Sequence, residues 1–270
     1  MSQKSLALVL SGQPRFAIDS VQRQISLLKK NYNVSIFFHT WDENSSLIKS
    51  TAPWVNDTKL SFDNISNLTN QLHPLKFSSL PLPNNFLLKK DNSSDKSIQW
   101  RLQRMFWSIM QADLVRQNYE IENNIKFNYI VRSRFDFYPI TNTLVLPSEH
   151  LLNNKVYIPD LIRNPYAPCD WFLITNSNTM SKITNLYYKL SQYIDQGTIY
   201  AGEELLLEHL NMNSIRFERF IFSGFIRREN RCINTFFGKI LLVDSFWLWI
   251  FHKIQLFLFL LNKLRKKLLK

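Results

Sequence analysis

Apolar runs of strand length alternate with stripes of helical period along the chain, and their order predicts an α/β fold. Leu6 to Leu10, LALVL, reads as a buried parallel strand that ends in the turn Ser11-Gly12-Gln13-Pro14-Arg15. Ile18, Val21, Ile25 and Leu28 then recur at helical spacing, and Val34 to His39 forms a second strand before Thr40-Trp41-Asp42. Strand, helix and strand in this order make a βαβ unit with parallel strands. Residues 43 to about 96 are rich in Asn, Ser and Pro, with a short strand expected near Lys59 to Phe62, a small helix near Ile65 to Leu72 and a long loop.

Ser97 is placed as the N-cap of the clearest helix. Ile98, Leu102, Met105, Ile109, Ala112, Val115 and Tyr119 make its inward stripe, and Gln99, Arg101, Gln103, Arg104 and Trp107 fall on a solvated flank. Tyr129 to Val131 is the next buried strand, and Arg132-Ser133-Arg134-Phe135-Asp136 follows where the chain should leave the sheet. Short strands are expected at Leu144 to Pro147 and Lys155 to Pro159, and a buried one at Asp170 to Thr175. Helices are expected from Asn178 to about Tyr193 and from Gly202, and a closing strand from Arg216 to Ile226. If the strands run parallel, the polar residues at their ends converge on one rim, where open α/β sheets bind ligands. The Arg-x-Arg-x-Asp cluster suits a phosphate together with a metal or a sugar hydroxyl, and it equally suits an internal salt bridge closing a strand end.

Composition narrows the chemistry. Only 5 glycines occur in 270 residues and no Gly-rich phosphate loop is present, so phosphate must be met by side chains or a metal. The five histidines are scattered, no Ser/His/Asp triad is legible, and Cys169 and Cys232 lack metal spacing. Two cysteines without a cleavable leader point to a reduced cytoplasmic protein.

Net charge is +12, and residues 236–270 carry seven Lys/Arg against the single acid Asp244, which is half of the excess. Ile240 to Leu261 is almost wholly apolar, but Asp244, His252 and Lys253 interrupt it at a cost to a membrane span of roughly 3 kcal/mol per central charge. Its polar positions gather on one side of a helical wheel, which suits an amphipathic helix lying in an anionic membrane surface through residues 240–270. No nucleic-acid motif is present, so nucleic acid is not expected as the partner of this basic charge. The division expected is an α/β domain over residues 1–235 and a basic-aromatic membrane-association helix over residues 236–270.

Taken together, LALVLSGQPR at residues 6–15, FFHTWD at 37–42, YIVRSRFDFYP at 129–139, DWF at 170–172 and GEELLL at 202–207 resemble the polysaccharide glycosyltransferases of bacterial capsule, O-antigen and lipopolysaccharide clusters. The resemblance implies a GT-A-like single nucleotide-binding domain with a mostly parallel sheet flanked by helices, which moves a sugar from a nucleotide-sugar donor to a lipid-linked glycan acceptor at the cytoplasmic face. It implies Ser11, Gly12, Gln13 and Arg15 near the nucleotide, Arg132 and Arg134 on phosphate, and His39, Trp41, Asp42, Asp170 and Trp171 near the sugars. Glu203 or Glu204 is implied as the base. Asp136 is implied on a divalent Mg or Mn ion or on the donor sugar, although the family's Asp-x-Asp is replaced here by Arg134-Phe135-Asp136, so that the two arginines could instead neutralise the diphosphate without metal. A non-catalytic membrane-surface adaptor that binds carbohydrate or protein is the alternative.

Overall fold

The computed structural model describes residues 3–41, 63–80, 96–159, 167–198, 201–220, 222 and 224–226. The expected strand near residues 59–62, Asp42 and the whole of residues 236–270 lie outside the described residues.

Strand β1 (Lys4–Ser11) is buried from Leu6 onward, as a strand covered on both faces must be. Helix α1 (Ala17–Leu28) and strand β2 (Tyr32–Trp41) follow, with β1 and β2 parallel and Ser11 opposite His39. Next come α2 (Ile65–Leu72), β3 (Lys76–Leu80) and the long α3 (Lys96–Glu122). Strand β4 (Tyr129–Arg134) lies on the other side of β1, parallel to it, with Ser11 opposite Arg134. After β5 (Phe137–Pro139), a 3-10 turn at Glu149–Leu152 and β6 (Lys155–Pro159) come β7 (Phe172–Thr175) and the helices α4 (Ser177–Thr184), α5 (Leu186–Asp195) and α6 (Gly202–Met212). Strands β8 (Arg216–Phe220) and β9 (Gly224–Ile226) close the described chain.

The main sheet has the order β3-β2-β1-β4-β7-β6-β8, and β5 pairs with β9 in a separate two-stranded ladder. Every pairing in the main sheet is parallel except the two made by β7, so β7 alone runs backwards. The expected mostly parallel sheet flanked by helices is present, and β7 is the reversed strand among those described.

Two apolar layers enclose the sheet. Leu6, Leu8, Leu10, Phe38 and Val131 face α1 and α2, while Ala7, Val9, Phe37, Ile130 and Leu173 face α3 and the α4–α6 layer. Several local expectations change. Residues 144–147 form no strand, the helix expected over 178–193 is two helices meeting at Asn185, and residues 216–226 divide between β8 and β9. Ser97 lies inside α3 and does not cap it. Gln103 and Trp107 are buried, because α3 is covered by the sheet on one side and by α4 and α5 on another. Among the described residues, no helix is long and apolar enough to cross a membrane.

Candidate active site at the carboxyl ends of β1 and β4

The chain winds from β1 to β2 and β3 on one side and returns to β4 on the other. The order therefore reverses between β1 and β4, where neighbouring loops splay apart and leave a crevice. Ser11 and Arg134 are register partners at that point. Side chains alternate across a strand, so Arg132 and Arg134 share the α3 face with Ile130, and Ser11 shares it with Ala7 and Val9.

The turn after β1 is shaped by Gly12, whose φ of 108° only glycine adopts without strain. Its N–H donates to Ser108 Oγ of α3 at 3.0 Å, and Arg15 N–H donates to the Gln13 carbonyl at 2.9 Å. The Arg15 guanidinium also bonds Gln13 Oε1. Phe16 supplies no side-chain cap to α1; Asp63 does so from far along the chain, its Oδ2 accepting from Ala17 N–H at 2.8 Å and Ile18 N–H at 3.3 Å.

At the end of β4 the guanidinium of Arg134 donates through Nε to Asp136 Oδ1 at 2.7 Å and through Nη2 to Asp136 Oδ2 at 2.9 Å. This two-pronged pair closes the strand end as an internal salt bridge, one of the alternatives that its sequence left open. The Asp136 side chain is 2% exposed and the Arg134 side chain 27%, so only the arginine reaches the surface. Arg132 is buried as well; its Nη2 makes one long bond of 3.4 Å to Ser11 Oγ, and its Nε has no partner. Burial lowers the pKa of Arg132 to about 10, with Asp170 partly opposing the shift, so it stays charged at neutral pH. Burial also works against the charge of Arg134, but the Asp136 carboxylate outweighs it and the pKa is raised.

The reversal of β7 brings Asp170 into this group. With Ser133 opposite Phe172, the start of β7 and not its end lies level with Arg134, so Asp170 and Trp171 stand at the same rim. Asp170 is buried and its Oδ1 has no hydrogen-bond partner; with Arg132, Phe106 and Leu206 it lines a recess of about 10 Å³, room for one water centre. Helix α6 begins against the same carboxylate. A Cβ at Gly202 would lie 2.9 Å from Asp170 Oδ2 and 3.1 Å from Met105 Cε, so a larger residue there would have to push the Asp170 carboxylate or Met105 aside. Glu203 and Glu204 occupy the first turn of that helix, half-buried.

The structure thus brings together Ser11, Arg132, Arg134, Asp136, Asp170 and the start of α6. It keeps His39 apart from the surface: the ring is 0% exposed, bonds Ser78 Oγ through Nδ1 at 2.8 Å and meets Trp107 edge-on at 4.8 Å. Burial pushes His39 down to about 3, so the imidazole is neutral. The backbone of Trp41 ends β2 opposite Leu80.

The donor set suits a metal ion poorly. Both Asp136 oxygens already accept from Arg134, two guanidinium groups stand beside it, and no group of three His, Cys, Asp or Glu that could hold a metal occurs among the described residues. The same arrangement suits an anion well, because Arg132 is a buried cation with unused donors.

Sequence reasoning missed the residues that hold this site from behind. Gln24 on α1 donates through Nε2 to the carbonyls of Arg134 at 3.1 Å and Phe137 at 2.7 Å, fixing the turn that carries Asp136. Its signal was a polar residue on an otherwise inward stripe. Neither a protein-family model nor a curated protein matches the chain.

Proposed function

We propose that the chain is a glycosyltransferase of GT-A-like architecture that moves a sugar from a nucleotide-sugar donor to a lipid-linked glycan acceptor in the synthesis of a bacterial surface polysaccharide. The observation that carries this reading is the meeting of Ser11, Arg132 and Arg134 at the point where the strand order reverses, with Asp170 and the start of α6 at the same rim. Arg132 and Arg134 take the diphosphate of the donor, the turn at residues 11–15 lies beside the nucleotide, and Asp170 and Trp171 meet a sugar.

In the transfer, the acceptor hydroxyl oxygen bonds to the anomeric carbon as the bond from that carbon to the diphosphate oxygen breaks. The electron pair leaves with the nucleoside diphosphate, whose charge the two arginines offset, and the proton passes to Glu203 or Glu204. Residues 240–270 hold the enzyme in the plane of the anionic cytoplasmic surface, where lipid-linked acceptor and soluble donor meet.

The test is turnover. A panel of UDP, GDP and CMP sugars is supplied with lipid-linked acceptors, and sugar transfer is expected with one donor class and is lost in Arg132→Gln. A folded chain that binds none of these nucleotides refutes the reading. Removal of residues 236–270 is expected to release the protein from anionic vesicles in a flotation assay.

A further inference from the structure

The position that a metal-binding aspartate would occupy is already committed to a guanidinium. Asp136 faces Arg134 with both oxygens, at 2.7 and 2.9 Å, and is buried beneath it. A divalent cation there would have to displace Arg134 or sit between it and Arg132, adding two positive charges to two. A diphosphate meets the reverse situation. Arg134, partly exposed, keeps its Nη1 clear of the two bonds to Asp136 and is where a diphosphate makes first contact, while Arg132 stands behind it beside a recess about one water wide, its buried Nε without a partner.

We propose that Asp136 is the internal counter-ion of an arginine-based diphosphate seat, built from Arg132 and Arg134, and is not a metal ligand. The inference rests on the donor-site reading above and deepens it. Asp136 aims the fork of Arg134 while the seat is empty and shares its charge when a diphosphate arrives. It is therefore a positioning residue.

The two roles predict opposite signs. A metal ligand changed to asparagine weakens diphosphate binding, and the loss falls only on binding measured with metal. A counter-ion changed to asparagine keeps its shape and one acceptor for Arg134 but removes a negative charge near the phosphates, which strengthens binding with or without metal. One unit charge about 6 Å away corresponds to a change of roughly threefold in affinity if screened as in bulk water and of about a hundredfold at the effective dielectric near 20 usual for pairs near a protein surface.

The experiment is calorimetric titration of the full-length chain with pyrophosphate, UDP and GDP, in EDTA and again in Mg or Mn. Wild type is expected to bind at least one of these equally in EDTA and in metal. Asp136→Asn is expected to bind several-fold more tightly, and Arg132→Gln and Arg134→Gln at least tenfold more weakly. Asp136→Ser, with thermal melting of every variant, guards against loss of fold.

Binding that requires metal and collapses in Asp136→Asn overturns the proposal while leaving the donor-site reading intact. Nucleotide binding unchanged in both arginine variants overturns the proposal and, with it, the placing of the donor diphosphate on Arg132 and Arg134. No binding of any diphosphate by folded wild type overturns both the proposal and the donor-site reading.

Discussion

Replacing Gln24 by methionine removes the amide from beneath the site and changes little else, since the two side chains are similar in length and volume. Gln24 is 1% exposed, and its Nε2 serves the carbonyls of Arg134 and Phe137, one on each side of the Phe135-Asp136 turn. Each bond contributes roughly 0.5–1.5 kcal/mol, and stranding a buried carbonyl costs roughly 1–3 kcal/mol. Two terms reduce the loss: each carbonyl has a second lone pair, and Oε1 of Gln24 is itself buried without a partner, so removing it returns part of its desolvation. The net expectation is about 2–3 kcal/mol of lost stability, or a fall in Tm of roughly 4–10 °C for a domain of this size.

Urea denaturation followed by circular dichroism measures the loss, and pyrophosphate titration shows whether the turn has loosened. Gln24→Glu sharpens the comparison, because a carboxylate would face two carbonyl oxygens. Its folded-state pKa is raised, so the variant is best tolerated below the unfolded value near 4.3 and weakens as pH rises through the folded value. A Gln24→Met protein within 0.5 kcal/mol of wild type, with unchanged anion binding, would refute the claim that α1 fixes the site turn.

Three further predictions concern what surrounds the site. Gly12→Ala places a side chain at a φ of 108° and is expected to cost about 1–3 kcal/mol in urea titration. Arg116→Met strands the buried carboxylates of Asp113 and Glu120, which Arg116 reaches at 2.7 Å each, and is expected to cost roughly 3–5 kcal/mol; calorimetric melting measures it. His39, pushed down to about 3 by burial, contributes stability that is full above the unfolded value near 6.5 and is lost as pH falls toward 3, so His39→Gln should flatten the dependence of the urea midpoint on pH between 6.5 and 4.5. That window lies above the one in which Glu120 acts; burial opposes the charge of Glu120, but Ser177, Arg116 and the backbone of Phe127 more than offset it and lower its pKa, so its contribution is lost only under stronger acid.

Much of this architecture was legible from periodicity. The runs at residues 6–10, 34–39 and 129–131 are strands, buried on both faces throughout the first and third and from Ile36 in the second, and the turn at 11–15 and the cluster at 132–136 do end adjacent parallel strands. Strand β3 was not legible, because KFSSL is a half-exposed edge with no apolar alternation, bounded by prolines at 74 and 81. The direction of β7 was illegible for a different reason: FLIT is buried on both faces, and a run of that kind reads the same in either direction. Helix α3 misled on its flank. Gln103 and Trp107, expected on a solvated side, are buried, and further along the helix Asp113, Arg116 and Glu120 neutralise one another in the interior, with Ser177 donating to Glu120 at 2.6 Å and Thr184 to Asp113 at 3.1 Å.

The reversed strand decides what chemistry the rim can hold. Had β7 run parallel to β4, its carboxyl end would stand at the rim and Asp170 would lie at the opposite edge of the sheet. Arg132 and Arg134 would then face Asp136 alone, two cations against one anion, a seat for phosphate and little else. Running backwards, β7 delivers a second buried carboxylate and leaves the group balanced at two against two. A balanced group costs less to bury than an excess of charge, which is how Arg132 stays ionised with a single long hydrogen bond. On the proposed donor-site reading a phosphorylated sugar would divide this group, its phosphate taking the guanidinium groups and its hydroxyls donating to the carboxylate that remains. Asp170→Asn therefore tests the rim as a whole: tighter binding of bare pyrophosphate together with weaker discrimination for the sugar-bearing nucleotide is the expected pair of changes, and equal weakening of both would show that Asp170 serves only the fold.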